Sequence, residues 1–198
     1  MRITKSRNKL RQIAYTAELS EYDAEPPART WLLDERPDKI NPELEAVALY
    51  LIFGSWCGGE FVVPQKMGPN TAAAISAHAG MDFFPNPIEY YPKPIFRGAR
   101  TVSLSTDLLD FEVGSLVSLK SSEWSGSVKS PSSLVLSSNT ATFAGMTPDG
   151  LPSLAVPVLL AEELDMAELC VRDRTIDVQD DVAGLLRQVG LSVFSECA

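Results

Sequence analysis

With 198 residues, 45% of them apolar and 22% charged, the chain has the material for one well-cored domain. Its composition excludes a disordered tail, a collagen and a disulfide-dense miniprotein. The net charge of −9 is unevenly spread, because Arg2, Lys5, Arg7, Lys9 and Arg11 crowd the first eleven residues and leave twelve basic against twenty-six acidic side chains in the rest. Such an acidic body repels phosphate backbones, so nucleic acid would have to be held by residues 1–11; the favoured reading is a basic segment lying on the protein's own acidic surface.

The first expected element is a basic helix or arm over residues 1–22. Leu10, Ile13, Ala14 and Ala17 recur at spacings of three and four, and Thr4 can cap the start. Pro26 and Pro27 end that pattern. Residues 23–84 read as a helical part. Asn41-Pro42-Glu43 is a helix start, with a capping Asn, Pro at the first helical position and an acid in the first turn. The run AVALYLIF behind it is apolar all round and predicts a buried helix, with an apolar strand over Val47–Phe53 as the competing reading. Gly54 is placed to end the helix in a left-handed conformation. Phe61-Val62-Val63 reads as a short strand, Gly68-Pro69 as a turn, and TAAAISAHAG as a helix capped by Asn70 or Thr71 and stopped at Gly80.

Residues 85–100 form a strap rich in proline and aromatic residues, where regular helix is forbidden. From residue 101 to 160 the texture is β-rich: TVSLS, GSLVSLK, SSLVLSS, TATFAG and LAVPVLLA all read as strands. Thirteen of the forty residues from Thr101 to Thr140 are serine, which suits turns between mostly antiparallel strands. Residues 161–198 return to helix. AEELDMAEL is the first, and a second is capped by Asp177, carries Val178, Val182, Leu185, Leu186 and Val189 on one face and stops at Gly190; LSVF follows as a final edge strand. The expected fold is therefore α+β, a single domain over 1–198 with a buried helix in its first half, a β-rich and mostly antiparallel middle, and two C-terminal helices.

Nucleophilic cysteine chemistry needs a thiolate, commonly held by a histidine, and His78 is the one histidine of the chain. Cys57 with His78 is thus the available dyad, with Asp82 or Glu60 to orient it. The competing reading makes Cys57 a packed residue where a buried helix ends, since free Cys is among the most buried residue types. There is no CxxC, which argues against a zinc site, and no metal or other cofactor is expected. Asp107, Asp110 and Glu112, and Asp177, Asp180 and Asp181, read as solvated or capping acids. Lys66 precedes a helix start, and Lys93, Arg97 and Arg100 cluster around Gly98 with no acid among them, so a converging fold would make an anion or nucleotide pocket of them. Phe83, Phe84, Tyr90, Tyr91 and Phe96 are candidate interaction residues, together with Arg7 and Arg11. Walker, Rossmann and GxSxG patterns are absent.

The N-terminal charges lead into no apolar signal core, and the longest apolar run, Ala46–Phe53, falls far short of the ~20 residues a membrane helix needs. No membrane partner is expected, and Cys57, Cys170 and Cys197 read as reduced thiols of a cytoplasmic protein. On these features the favoured function is a non-catalytic component of a larger assembly with other protein subunits as partners. The alternative is an enzyme or small-ligand-binding protein whose site lies within residues 57–100.

Overall fold

A computed structural model describes residues 1–7, 12–35, 37–80, 82–92, 94–110, 112–173, 176 and 178–195. The N-terminal segment is a correction to the expected helix over 1–22. It forms strands β1 (Arg2–Arg7) and β2 (Ile13–Glu18), paired antiparallel with Ile3 opposite Ala17 and Lys5 opposite Tyr15. The helical spacing of Ile13, Ala14 and Ala17 competes with a period of two in the same residues: Ile13, Tyr15 and Ala17 are buried while their neighbours are not. Leu10 and Arg11 lie outside the described residues. Strand β3 (Thr30–Leu33) continues the antiparallel run and stacks Trp31 on Tyr15 with ring centroids 5.5 Å apart.

Helix α1 (Pro42–Phe53) starts as expected, with the Asn41 side chain accepting from the Glu43 N–H at 3.0 Å. Its two first-turn acids turn inward. Glu45, fully buried, accepts from the Tyr15 hydroxyl and the Lys5 ammonium at 2.7 Å each and from the Gln65 amide at 2.8 Å. Glu43 takes the Gly68 N–H on both oxygens, at 2.8 and 3.0 Å. The far end departs from expectation. Gly54 is right-handed (φ −57°) and the chain runs on as a single 3₁₀ turn, Gly54–Trp56. Glycine is needed there for room, since a Cβ would sit 2.6 Å from the Tyr50 ring.

Then follow β4 (Glu60–Met67), α2 (Pro69–Ala79), β5 (Phe84–Ile88), β6 (Arg100–Ser105), β7 (Ser115–Lys120), β8 (Ser127–Lys129) and β9 (Leu134–Ser138). The remainder is α3 (Thr140–Ala144), α4 (Ala155–Leu160), β10 (Met166–Val171), α5 (Asp180–Gln188) and β11 (Ser192–Phe194). All eleven strands belong to one mixed sheet of order β11-β10-β6-β7-β9-β3-β2-β1-β4-β5, with β8 on β9. The α+β class, the buried α1, the β-rich middle and the terminal edge strand are as read from the sequence. Pairing inside the middle is different: β10, β6, β7 and β9 run parallel, and β8 alone is antiparallel there. The link from β7 to β9 is long enough to carry the chain back over the sheet, and its last part, β8, closes an antiparallel hairpin on β9.

Three segments exchange type. TATFA and AVPVLL are helices, and the residues read as an acidic helix form a turn at 161–165 followed by strand β10. Met166, Leu169, Cys170 and Val171 are all buried, the near-continuous apolar run that a central parallel strand needs. Asp177 lies outside the described residues; α5 begins after Gln179, and Gly190 (φ +83°) stops it as expected. The strap begins as the edge strand β5 and crosses irregularly from there to β6. Alternate strand residues divide between two faces. Leu116, Leu134 and Leu136 join the main core with α1, α4 and α5, whereas Val117, Leu119 and Val135 pack under Trp124 on the other side. Among the described residues no helix is long and apolar enough to cross a membrane. Cys57 is a free thiol, while Cys170 is disulfide-bonded, which corrects the expectation that all three cysteines are reduced.

The edge between β1 and β4 is closed by charge. The Met1 amino group donates to the Glu60 carbonyl at 2.6 Å and pairs with Asp23 at 2.9 Å, both side chains being almost wholly buried. Burial alone would raise the Asp23 carboxyl. Hydrogen bonds from the Gly58 and Ser20 N–H groups, the amino terminus and the Ser20 hydroxyl outweigh it and hold the group down at about 2, against 3.8 ordinarily. Because the native state keeps this carboxylate ionised more tightly than the unfolded chain does, its stabilisation is complete above pH 4 or so and is lost as pH falls through 2. In Asp23→Asn, acid unfolding followed by circular dichroism should lose about 1–2 kcal/mol of that pH dependence, and the variant should be less stable than the parent at neutral pH. Identical acid transitions for the two proteins would contradict this.

Candidate functional site

A cavity of about 230 Å³ lies where the ends of α1 and α2 meet the turn before α4. The end of α1 contributes Tyr50 and Leu51, the following 3₁₀ turn contributes Gly54, Ser55 and then Cys57, and the last turn of α2 contributes His78 and Ala79. Gly80 (φ +66°) turns the chain sharply after His78, so that Phe83 comes back to form a wall. Asp149, Leu151 and Pro152 close the opposite side.

The polar groups of this cavity form a chain. Tyr50 Oη lies 2.7 Å from His78 Nδ1. Burial, then Asp181 and Asp149, push the Tyr50 phenol up to about 12, so it keeps its proton; the bond runs from the phenol to Nδ1 in one imidazole tautomer and from Nδ1–H to the phenol in the other. A neutral imidazole that accepts at Nδ1 carries its own hydrogen at Nε2. That atom is buried and has no hydrogen-bond partner; the nearest carboxylate oxygen, Asp181 Oδ2, is 3.8 Å away, beyond hydrogen-bond length. Tyr50 also meets His78 and Phe83 edge-on, each with centroids 5.5 Å apart, which fixes the imidazole in place. Among the described residues neither lysine nor arginine lines the cavity.

The structure therefore brings Cys57 and His78 to one cavity without joining them as a nucleophile and base. The Cys57 thiol donates to the Glu60 carbonyl at 3.4 Å, and burial pushes it up, away from the thiolate. His78 bonds Tyr50. Among the described residues no cluster of His, Cys, Asp and Glu is arranged to hold a metal ion.

The expected basic pocket does not converge. Lys66 is exposed on β4 and Arg100 on β6, with β7, β9, β3, β2 and β1 between them in the sheet. Arg100 reaches Asp165 at 3.9 Å and the Pro131 carbonyl at 3.2 Å; Arg97 is exposed, and Lys93 lies outside the described residues. The N–H at the start of α2 is taken by the protein's own Glu43. Of the strap rings, Phe83 is buried, Phe96 half-buried, and Phe84, Tyr90 and Tyr91 exposed. Arg7 is exposed on β1, while Lys5 of the same strand is drawn inward by Glu45.

Sequence reasoning missed Tyr50 and Asp149, and took Asp181 only as a solvated or capping acid. Tyr50 carried a signal, for it is the one polar-tipped residue in AVALYLIF, and a buried phenol requires a partner. Asp149 is brought in by the turn before α4 and Asp181 by the start of α5, and nothing in the sequence ties either to Tyr50. Compared with protein-family models, with curated proteins and with solved structures, the chain matches none.

Proposed function

We propose that the protein binds a small neutral molecule in the Tyr50–His78 cavity, with His78 Nε2–H donating to a carbonyl or hydroxyl oxygen of the ligand. One observation carries this reading: a buried ring nitrogen, His78 Nε2, whose imidazole is held by a largely buried phenol, has no hydrogen-bond partner in a cavity of mixed polar and apolar walls. Leaving such a group unpaired costs about 1–3 kcal/mol, which a ligand oxygen returns on binding. Asp149 and Asp181 make the surroundings negative and disfavour anions. A few placed polar groups beside apolar side chains are the general form of small-molecule sites.

The single histidine makes the test direct, because its ring protons are an unambiguous NMR reporter. Acetone should shift the His78 signals saturably, acetate should not, and Tyr50→Phe, which removes the orienting proton, should weaken the acetone response by about tenfold. Signals that acetone leaves unmoved, or an unchanged response in Tyr50→Phe, would sink the reading.

A second reading, a component of a protein assembly, is favoured by the exposure of Phe84 (58%), Tyr90 (75%) and Tyr91 (92%) on and beside the edge strand β5. Pro85 and Pro87 remove N–H donors from that edge, so a partner protein would engage the rings rather than add a strand. Native mass spectrometry of the protein purified from its own host distinguishes the two: retained protein subunits favour assembly, and a monomer with a small-molecule adduct favours the cavity.

A further inference from the structure

A larger cavity, about 460 Å³, shares no lining residue with the Tyr50–His78 site and lies across the turn at residues 147–153 from it, that turn giving Asp149, Leu151 and Pro152 to the first cavity and Thr147, Pro148, Gly150 and Ser153 to this one. Four parallel strands end at it. Thr106 follows β6, Ser118 and Lys120 close β7, Ser138 ends β9 with Thr140 just beyond, and Asp173 lies two residues after β10. The facing wall is the segment from α3 to the turn before α4, including Gly145, Thr147, Gly150 and Ser153. From β6 the chain steps through β7 to β9 in one direction, then returns through α3 and α4 to place β10 on the other side of β6. Connections that leave neighbouring parallel strands in opposite directions open a crevice outside the strands' carboxyl ends, which is where open sheets bind ligands.

The lining selects a chemistry. Ser138 and Thr140 are buried, and their hydroxyls are already directed. Ser138 donates to the Leu32 carbonyl at 2.9 Å, so the 2.6 Å contact between the two hydroxyls must be Thr140 donating to Ser138, while Trp31 Nε1–H donates to Thr140 at 2.8 Å. Thr140 is left with acceptor capacity alone. Asp173, which receives the Thr106 hydroxyl at 3.1 Å, is a further acceptor. Ser118 and Ser153 also line the cavity, and among the described residues neither hydroxyl has a hydrogen-bond partner, so each can donate or accept. Lys120 is drawn to Glu123 at 3.9 Å, with both side chains more than half exposed at the mouth, so the cavity offers an anion no uncompensated cation. Among the described residues no aromatic ring lines it, so they give a base nothing to stack on.

We infer that this crevice is a second binding site and that it takes a neutral, non-aromatic polyhydroxylated molecule of about monosaccharide size. Such a molecule supplies donors to Thr140 and Asp173 and meets Ser118 and Ser153 with either polarity. The volume falls within the roughly 300–1,000 Å³ of small-molecule sites.

The test uses the full chain and saturation-transfer NMR with D-glucose and myo-inositol, against glucose 6-phosphate and adenosine. At least one of the two polyols binds saturably, and the phosphate and the nucleoside bind more weakly. The double substitution Ser118→Ala with Ser153→Ala weakens polyol binding by about tenfold or more while leaving the melting temperature unchanged, because neither hydroxyl bonds a described residue of the protein. The His78 ring signals stay fixed during the polyol titration, which separates this site from the first. Absence of binding by both polyols, equal binding in the double variant, a preference for glucose 6-phosphate or adenosine, or movement of the His78 signals would each overturn the inference.

Discussion

Glu45→Ala should destabilise the protein by about 3–5 kcal/mol, the largest loss expected from any single side chain outside the apolar core. Glu45 is fully buried and receives three donors: the Tyr15 hydroxyl, the Lys5 ammonium and the Gln65 amide. Removing the carboxylate leaves a largely buried ammonium, a buried phenol and an amide with no shared acceptor, and unpaired buried charge is the costliest of these. It also severs α1 from β1, β2 and β4 at once, because each of those strands contributes one donor. The Tyr15 phenol already reports this environment: burial first, and then Glu45, raise it well above its ordinary value. Urea unfolding should show a lower midpoint at unchanged slope. Adding Lys5→Met to Glu45→Ala should recover at least about 1 kcal/mol of the loss, since the two residues couple directly. A loss under about 1 kcal/mol, or strict additivity with Lys5→Met, would contradict this account.

The same three-way bond explains why the N-terminal region resisted reading. Lys5 in isolation looks like one of five solvated cations, and the charge segregation of residues 1–11 pointed to an arm. Only the fold shows that Lys5 faces a buried carboxylate contributed by a helix forty residues on. The strand pattern of Ile13, Tyr15 and Ala17 was present, but over so short a segment it overlaps the helical spacing of Ile13, Ala14 and Ala17, and burial against Trp31 and α1 decides between them. By contrast α1, α2 and α5 carry local signals that tertiary contacts do not override: Asn41 capping, and Gly80 and Gly190 at positive φ after the last turns; the start of α2 differs from the reading, since Pro69 is its first residue rather than part of a turn and Gly68, not Asn70 or Thr71, is its cap. In the middle of the chain, strands β6, β7 and β9 were legible as strands. Their parallel pairing was not, because alternating serines fit either direction and the deciding crossovers are long-range.

The site was half legible. Cys57 and His78 were singled out as a pair, and they do line one cavity, yet the hydrogen bond there joins His78 to Tyr50. A search for nucleophiles passes over a phenol that looks like one more apolar residue of a buried helix. Gly54 pointed to it in a way that needs coordinates: read as a conformational stop, it is instead the space in which the Tyr50 ring lies. The crevice at the carboxyl ends of β6, β7, β9 and β10 left no motif, since serine and threonine are ordinary turn residues until four strand ends meet.

Gly190→Ala should cost about 2–5 kcal/mol, and the matched change Gly80→Ala should cost distinctly less. Both glycines end helices at positive φ, +83° and +66°, so each substitution carries the left-handed penalty of about 1–2 kcal/mol. They differ in what a Cβ would meet. At Gly80 there is nothing within 4 Å; at Gly190 the Phe96 carbonyl oxygen stands at 2.2 Å and an Ile95 methyl carbon at 3.1 Å. The extra clash is with the strap, and forcing atoms into occupied space adds about 1–3 kcal/mol. The strap cannot yield freely there, because Glu89 N–H is bonded to the Met67 carbonyl at 2.7 Å on one side, and Ala99 and Arg100 N–H to the Asp165 carbonyl at 3.0 and 2.9 Å on the other. Thermal unfolding of the two variants should therefore separate by about 1 kcal/mol or more, and limited proteolysis should cut residues 89–99 faster in Gly190→Ala alone. Equal melting temperatures would mean that the strap gives way without cost. If instead the two variants separate and cleavage concentrates in the strap, the close approach of the Phe96 carbonyl and the Ile95 side chain to Gly190 holds the strap against the end of α5.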